Sequence, residues 1–525
     1  MYRILLSSSQ TLGLCGFTVL LAACFSPTVP NDASNGTDTH TEETSDSTSA
    51  DTTAGPSGNV TSDGDNDQTT GGNSSTDGST AYDDNSSDTG VPTDCEPSTT
   101  VCIGDTIIAC DDQGNVTSVD TCNLGCADRG SGPICLSLVP SFGVSAPSGQ
   151  TEDLVIDGGS NSSIDISGCG ESPARVSVSV SGETTDYLGA PHVARVTQGG
   201  GAPPICIFRF RDVLIETNTT VVNDETAGHA LSLQAQRDFE LNGTLTFRTA
   251  GSGPSPGANV LASSTTFTSP DGTVRRSPGA GGGGNGTAGG NGGICTSNCG
   301  DLTVAQSTGG TGGQARGTDR LYAGSRGGNV TIKNSTNLSA RGGRGGGGLH
   351  VVALESATIG ATGRIQAGGL GGTGGGGYCI VGGECIPASG SAGGGGSGGT
   401  VVIEAPSIAV NASILAANGA GGAGGCRTLV FSVYWGVSGM DGVLGDETAD
   451  GGVCGGAGNG GVATPGALAS TRAGFNADSS GYPCAGAGAG GDGQFLLRAR
   501  TVNDISTAGA VISPTPQLGT VDTAG

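Results

Sequence analysis

Positive charge is scarce in this chain. One lysine, Lys333, and twenty arginines face 47 acidic residues, leaving a net charge of −26 over 525 residues. Wrapping a nucleic-acid backbone needs clustered cations, so that class of partner is excluded. Apolar residues reach only 34 %, short of the roughly 45–50 % of ordinary globular domains, which argues against large compact cores. Histidine is almost absent: His40, His192, His229 and His350 stand isolated, no HExxH pair occurs, and no metal motif or cofactor site emerges. What is abundant is glycine, 103 residues with 22 prolines besides, just under the level at which unpatterned Gly and Pro signal low complexity.

The first residues have the form of an export signal. Arg3 is the only cation of a short leading segment, and Leu12–Leu21 is mostly apolar but too short to span a bilayer as a mature helix. The segment closes on Leu21-Ala22-Ala23-Cys24: a large apolar residue, two small ones that fit a signal peptidase, then a cysteine. This resembles a bacterial lipobox. Leu12-Gly13-Leu14-Cys15 is a poorer fit, because bulky Leu14 sits where the peptidase needs a small side chain. The resemblance implies that residues 1–23 are a lipoprotein signal peptide and that Cys24 becomes an acylated N-terminus, several acyl chains anchoring far more firmly than one. Phe25 stands where lipoproteins retained in the inner membrane favour Asp, so the implied address is the outer membrane of a bacterium, lipid-anchored and surface-exposed. A plain secreted protein is the competing reading.

Residues 24–94 form the anchor and an acidic tether. Positions 25–94 hold fourteen Asp or Glu and no Lys or Arg, among Ser, Thr, Gly and Asn. Such a composition cannot offset ordering entropy, so disorder is expected. Asp63, Asp65 and Asp67 imitate the start of a calcium loop, but Gln68 and Ser74 stand where the loop requires Gly and a bidentate Glu.

Cysteines define residues 95–138. Cys95, Cys102, Cys110, Cys122, Cys126 and Cys135 sit among short β-prone runs and turns, a unit too poor in apolar residues to fold unaided and therefore a candidate for three disulfides. Fifteen connectivities are possible. A zinc site is the alternative, disfavoured because the unit has no His and export favours oxidation. The runs Cys102-Ile103-Gly104-Asp105, Cys110-Asp111-Asp112-Gln113-Gly114 and Cys122-Asn123-Leu124-Gly125-Cys126 resemble small Cys-rich modules on surface proteins of myxobacteria. That resemblance implies surface display rather than a reaction.

Residues 139–225 read as a β-rich segment, with Arg175-Val176-Ser177-Val178-Ser179-Val180 alternating and Cys169 and Cys206 placed to clip its ends. From 226 to 512 the pattern repeats. Residues 352–368 overlay 401–417 at an offset of 49, setting Leu354 on Ile403, Glu355 on Glu404, Ile359 on Ile408, Ile365 on Ile414 and Ala367 on Ala416. Looser copies start at Leu231, Val330 and Phe495. Three alternating patches per copy, followed by a glycine run, indicate strands that bury one face only by stacking on their neighbours. The expected fold is all-β: a parallel β-helix-like solenoid with glycine-rich loops, preceded by the disulfide-rich module and the disordered linker, with residues 513–525 as a tail. Inward Val, Ile and Leu make a narrow core, and Gly and Asn supply corners at positive φ. The glycine runs, such as 277–293, 341–348, 368–377 and 389–399, are either stacked polyglycine strands or flexible loops. Over residues 200–512 the composition and period resemble glycine-rich surface proteins of the PE-PGRS type and of myxobacteria.

Cys295 with Cys299 and Cys379 with Cys385 are spaced to close small rings, while Cys426, Cys454 and Cys484 leave one cysteine over. Between Cys426 and Cys454 lies Leu429-Val430-Phe431-Ser432-Val433-Tyr434-Trp435. Tyr434 and Trp435 are the candidate binding residues, since aromatic side chains concentrate at recognition sites; a buried strand is the competing reading. No catalytic constellation appears. GxGxxG strings arise by chance in so much glycine, the arginines look scattered, and Glu355 and Glu404, although they could stack on one face, make no active site. The chain therefore reads as a non-enzymatic surface lipoprotein with a structural, adhesive or ligand-display role, its partners the membrane and a surface glycan or protein. The alternative is a polysaccharide-active lyase or glycosidase on the same scaffold.

Overall fold

A computed structural model describes residues 95–130, 132–157, 162–200, 202–223, 228–247, 279–294, 309–332, 335–374, 392–424, 437–452 and 485–525. The chain divides into Met1–Asp88 and Thr89–Gly525, and every described residue belongs to the second unit. Among the described residues there is no α-helix, and no helix long and apolar enough to cross a membrane.

The N-terminal module comprises β1 (Thr100–Ile103), β2 (Thr106–Cys110), β3 (Val116–Thr121), β4 (Cys126–Asp128), β5 (Pro133–Cys135) and β6 (Ser137–Val139). β1, β2 and β3 form an antiparallel sheet, and β4 pairs with β5. Few of its side chains are buried, and disulfides Cys95–Cys110, Cys102–Cys126 and Cys122–Cys135 supply the cohesion that an apolar core would otherwise give.

The strands that follow are β7 (Leu154–Ile156), β8 (Ser162–Asp165), β9 (Arg175–Val180), β10 (Glu183–Leu188), β11 (Val193–Val196), β12 (Ile205–Phe210), β13 (Val213–Ile215), β14 (Thr220–Asn223), β15 (Ala230–Ala235), β16 (Asp238–Leu241) and β17 (Thr244–Thr246). A hairpin of β18 (Val330–Ile332) and β19 (Ser335–Ala340) comes next. Then come β20 (Gly348–Ala353), β21 (Ser356–Ile359), β22 (Arg364–Gln366), β23 (Thr400–Glu404), β24 (Ser407–Val410), β25 (Ile414–Ala416), β26 (Gln494–Ala499), β27 (Ile505–Ser506), β28 (Val511–Ser513), β29 (Gln517–Thr520) and β30 (Asp522–Ala524).

Three sheets dominate. One runs β11-β12-β15-β20-β23-β26-β29, a second β7-β13-β16-β21-β24-β27, and a third β10-β9-β8-β14-β17-β22-β25-β28. Pairing is parallel throughout, except that β11 and the β9–β10 hairpin join antiparallel at one end. Each pass of the chain adds one strand to each sheet in the same order, as β15, β16 and β17 do. Equivalent residues therefore form columns: Phe208, Leu233, Val351, Ile403 and Leu497 align across the first sheet, and Ile215, Leu241, Ile359 and Val410 across the second. These columns, with Val221, Leu245, Ile365 and Leu415 of the third, meet in one buried apolar cluster. Cys169–Cys206 ties the antiparallel end to β12.

The register departs from the ungapped overlay at 49. Gly348 faces Thr400, Ser356 faces Ser407 and Arg364 faces Ile414, so the offset falls from 52 to 51 to 50 as each corner of the later pass loses a residue. Glu404 consequently stacks between Val352 and Arg498, not on Glu355. The Val330 copy is also displaced: β18 pairs only with β19 and joins none of the three sheets. Corners do use the left-handed region, at Asn218, Ala412 and Gly509.

The first sheet is covered on its outer face as well. Ile205, Ile207, Val402 and Leu496 pack under Val144, Leu321 and Phe142. The module seats Leu124, Leu136 and Leu138 against Val352, Leu354 and Val521. β6 pairs with β30, and Arg500 pairs with Asp105, fastening module to body.

Candidate functional site

Three glycine-rich insertions leave after the third strand of a pass and return before the first strand of the next: between β17 and β20, between β22 and β23, and between β25 and β26. Their described parts pack into a second body built from backbone. Residues 392–399 lie at its centre. Gly393, Gly396 and Gly399 donate their N–H groups to the carbonyls of Thr373, Leu370 and Ala367; Gly394 and Ser397 donate to Gly328 and Ser325; Gly395 and Gly398 donate to Gly488 and Gly491. The segment's carbonyls accept from Ala423 and Ala420, from Gly343 and Gly346, and from Ala280 and Gly283. One segment thus bonds to six neighbours. Partners recur every third residue, the period of the polyproline II helix, which makes no internal hydrogen bonds and leaves every peptide group free for its neighbours. A β-strand would alternate every second residue.

This packing explains the glycine. A Cβ on Gly393, Gly394, Gly395 or Gly396 would overlap the carbonyl oxygen of Arg341, Gly281, Ala420 or Arg344 respectively. The requirement is close approach, not a left-handed backbone, because none of these four has a positive φ. Methyl groups are admitted where gaps remain, as at Ala392, Ala423 and Ala487, which form a small buried cluster. The expectation of glycine at positive φ therefore holds at corners but not in the arrays.

The array has two ends. The turns 284–287 and 443–446 and the segment ending at Leu321 lie beside the β-body: Asn285 Nδ2 donates to Thr400 Oγ1 at 3.1 Å, Asn418 Nδ2 to the Val443 and Gly445 carbonyls, and Leu321 packs with Ala230. Gly293, Gly310, Ala392, Gly424, Val437 and Gly486 lie at the opposite level, linked through bonds such as Gly424 to Val437 and Gly293 to Gly486. Tyr434, Trp435, Cys295, Cys299, Cys379, Cys385, Cys426, Cys454 and Cys484 lie outside the described residues, as does Cys24.

Asp492 is a charged residue inserted into this backbone packing. It is 1 % exposed, its Oδ1 accepts from the Gly419 amide at 3.2 Å, and Oδ2 has no partner among the described residues. Burial pushes the carboxyl up to about 7, against the lowering effect of the Gly419 bond. The raised value means that the folded state prefers the proton: the stability this gives is complete below the ordinary value of 3.8 and is lost as pH rises through 7. Asp492→Asn is expected to raise stability by ~1–3 kcal/mol at pH 8, where it removes a buried negative charge, and to change little at pH 4, where both side chains are neutral. Thermal unfolding at the two pH values checks this, and equal shifts at both would contradict it.

A second feature is a buried polar row on the outer face of the first sheet. Arg209 Nε donates to Gln234 Oε1 at 2.9 Å, and Gln234 Nε2 donates to Ser232 Oγ at 3.2 Å. Ser232 Oγ lies 3.2 Å from His350 Nδ1, and His350 Nε2 lies 2.9 Å from Glu404 Oε2. Glu404 also accepts from the Ser141 amide at 2.9 Å, from Ser141 Oγ at 2.5 Å and from Arg498 at 3.1 Å. Burial alone would raise its pKa; the His350 charge and the hydrogen bonds from His350 and Ser141 bring it down to about 2. Ser232, His350 and Glu404 stand in the order nucleophile, base, orienter, but Ser232 and His350 are fully buried and Phe142 packs edge-on against the imidazole at 5.3 Å. The hydroxyl has no approach for a substrate. What the row does is clamp the covering segment around Ser141 and Phe142.

The sequence flagged Glu404 but missed its partners. Ser232, His350 and Arg498 come from different passes and Ser141 from the covering segment, and only the register of 52 brings His350 and Glu404 together. The one signal in the sequence was a polar residue within each of two apolar runs, His350 in Leu349–Ala353 and Glu404 after Val401–Ile403.

An open cleft of about 490 Å³ lies between β7 and the β9–β10 hairpin, with Asp153, Asp157, Glu183 and Tyr187 on its walls. Asp153 is already paired with Arg211. No group of three or more His, Cys, Asp or Glu among the described residues could hold a metal ion. No protein-family model matches the chain, and no match was found among curated proteins or solved structures.

Proposed function

We propose that this protein is an outer-membrane lipoprotein, anchored through Cys24, that acts at the bacterial surface in structure, adhesion or ligand display. In this reading the three parallel sheets are the faces of one β-helix-like coil, and the glycine insertions form a stiff projection from it. The observation that supports it best is the bonding of residues 392–399 to six neighbours. Such a body gains rigidity from peptide groups alone and offers few reactive side chains, which suits presentation better than chemistry. In this reading Tyr434 and Trp435, in the stretch of sequence between Gly424 and Val437, are assigned the ligand contact.

The address is tested by labelling cells with radioactive palmitate and shaving them with protease. Wild-type protein is expected to take up label and to be cleaved on intact cells, whereas Cys24→Ala takes up none. Unlabelled wild type, or wild type protected from protease, would remove the anchor and the surface role. A screen for depolymerised glycans addresses the enzymatic reading, and product lost through one carboxylate substitution would establish it instead.

A further inference from the structure

The arginines are less scattered than the sequence suggested. Residues 316–344 carry Arg316, Arg320, Arg326, Lys333, Arg341 and Arg344 against the single acid Asp319, in a chain of net charge −26. The glycine array then arranges three of them. Arg341 and Arg344 are three residues apart in a segment whose bonding repeats every third residue, so both leave the same side, ~9 Å apart along the axis at 3.1 Å per residue. The neighbouring segment runs antiparallel, bonded from Gly327 to Gly343 at 2.9 Å. Arg326 Nε donates to the Gly342 carbonyl at 3.1 Å, which fixes the third guanidinium next to the other two. Gly342 and Gly343 are buried, while Arg341 is exposed and Arg326 and Arg344 are half-buried.

Arg326 and Arg341 form no ion pair with a described carboxylate. Burial and the charges of Arg344 and Arg341 hold the Arg326 guanidinium below its ordinary value, the sign of like charges held close together. The residues flanking them in the two segments, Gly327, Gly342 and Gly343, carry no side chains.

We infer that the row Arg326, Arg341 and Arg344 is a binding surface for a linear acidic polysaccharide, whose regularly spaced carboxylates meet guanidinium groups set along a straight axis. Arginine suits this through its fixed fork of donors. An anionic bilayer is the poorer fit, because it favours a broad basic surface and not one narrow row of guanidinium groups. The inference deepens the adhesive reading by naming a ligand class.

The test uses the full-length Cys24→Ala chain, which separates ligand binding from anchoring, with polygalacturonate, neutral dextran and phosphatidylglycerol vesicles as probes. Polygalacturonate is expected to bind, dextran and vesicles not. The triple variant Arg326→Gln/Arg341→Gln/Arg344→Gln should weaken binding roughly tenfold or more, and the single variant Arg341→Gln, at an exposed position, should weaken it a few-fold with unchanged thermal unfolding, each lost charge-assisted contact contributing a few-fold. Binding should fade as salt approaches ~0.5 M, where exposed charges are screened within a few ångströms. Equal binding by the triple variant, binding to vesicles alone, or no binding to polygalacturonate at low salt would each overturn the inference. Palmitate labelling is untouched by any of these results, so the anchor stands or falls separately.

Discussion

Gly394→Ala combined with Gly396→Ala is expected to destabilise the protein by ~2–6 kcal/mol, since overpacking a filled interior costs about 1–3 kcal/mol per site. Each new methyl group would enter the backbone of a different neighbour, at the Gly281 and Arg344 carbonyls, and neither can move without breaking hydrogen bonds to further segments. The usual benefit of Gly→Ala, a less flexible unfolded chain, is only about 0.4–1 kcal/mol and is outweighed. Gly199→Ala is the control: this glycine is exposed, and the nearest atom to an added Cβ is an Arg320 nitrogen at 3.9 Å, so the same substitution should be neutral or slightly stabilising. Thermal or urea unfolding of both variants decides the matter. Equal, small effects would mean that the array does not hold its segments at the spacing described.

Glu404→Ala is expected to cost ~3–5 kcal/mol, the loss seen when one partner of a buried ion pair is removed and the other stays behind. His350, Arg498 and Ser141 would all lose their acceptor, and the segment around Ser141 and Phe142 would lose its clamp. The pH dependence has a definite sign. A carboxyl held at about 2 when folded and 4.5 otherwise contributes stability above pH 4.5, which disappears as pH falls through 2. Glu404→Gln lacks that titration, so its deficit against wild type should shrink over this interval. Exchange of the Ser141 amide, bonded to Glu404, reports the same event locally. A deficit that stayed constant from pH 5 to pH 2 would show that Glu404 is not ionised in the folded protein.

The β-body was largely legible in the sequence because its physics is local. The pairs Val401/Ile403 and Ile408/Val410, two residues apart and followed by a turn, are what strands facing a shared core require, and those residues form parallel strands; Val402 is buried on the outer face instead, under the covering segment. Register was less legible: a corner one residue shorter, as at Pro406 against Leu354–Glu355, alters which residues stack without disturbing the aliphatic pattern. Disulfide partners in the module could not be read at all, since all six cysteines lie within reach of one another along the chain. The glycine array was hidden for a different reason. Hydrophobic period reports burial of side chains, and residues 392–399 have almost none; their order lies in peptide groups bonded to segments up to about a hundred residues away. The arginine row was obscured likewise, because a spacing of three has meaning only once the three-residue helix is known.

Amide hydrogen exchange across residues 393–399 tests the central claim most directly. If the array is one hydrogen-bonded body, the amides of Gly393 through Gly399 should be protected to the same order as those of Val401–Ile403 in β23, opening only when the whole unit unfolds. Exchange at the rate of an unstructured glycine peptide, with β23 still protected, would contradict it.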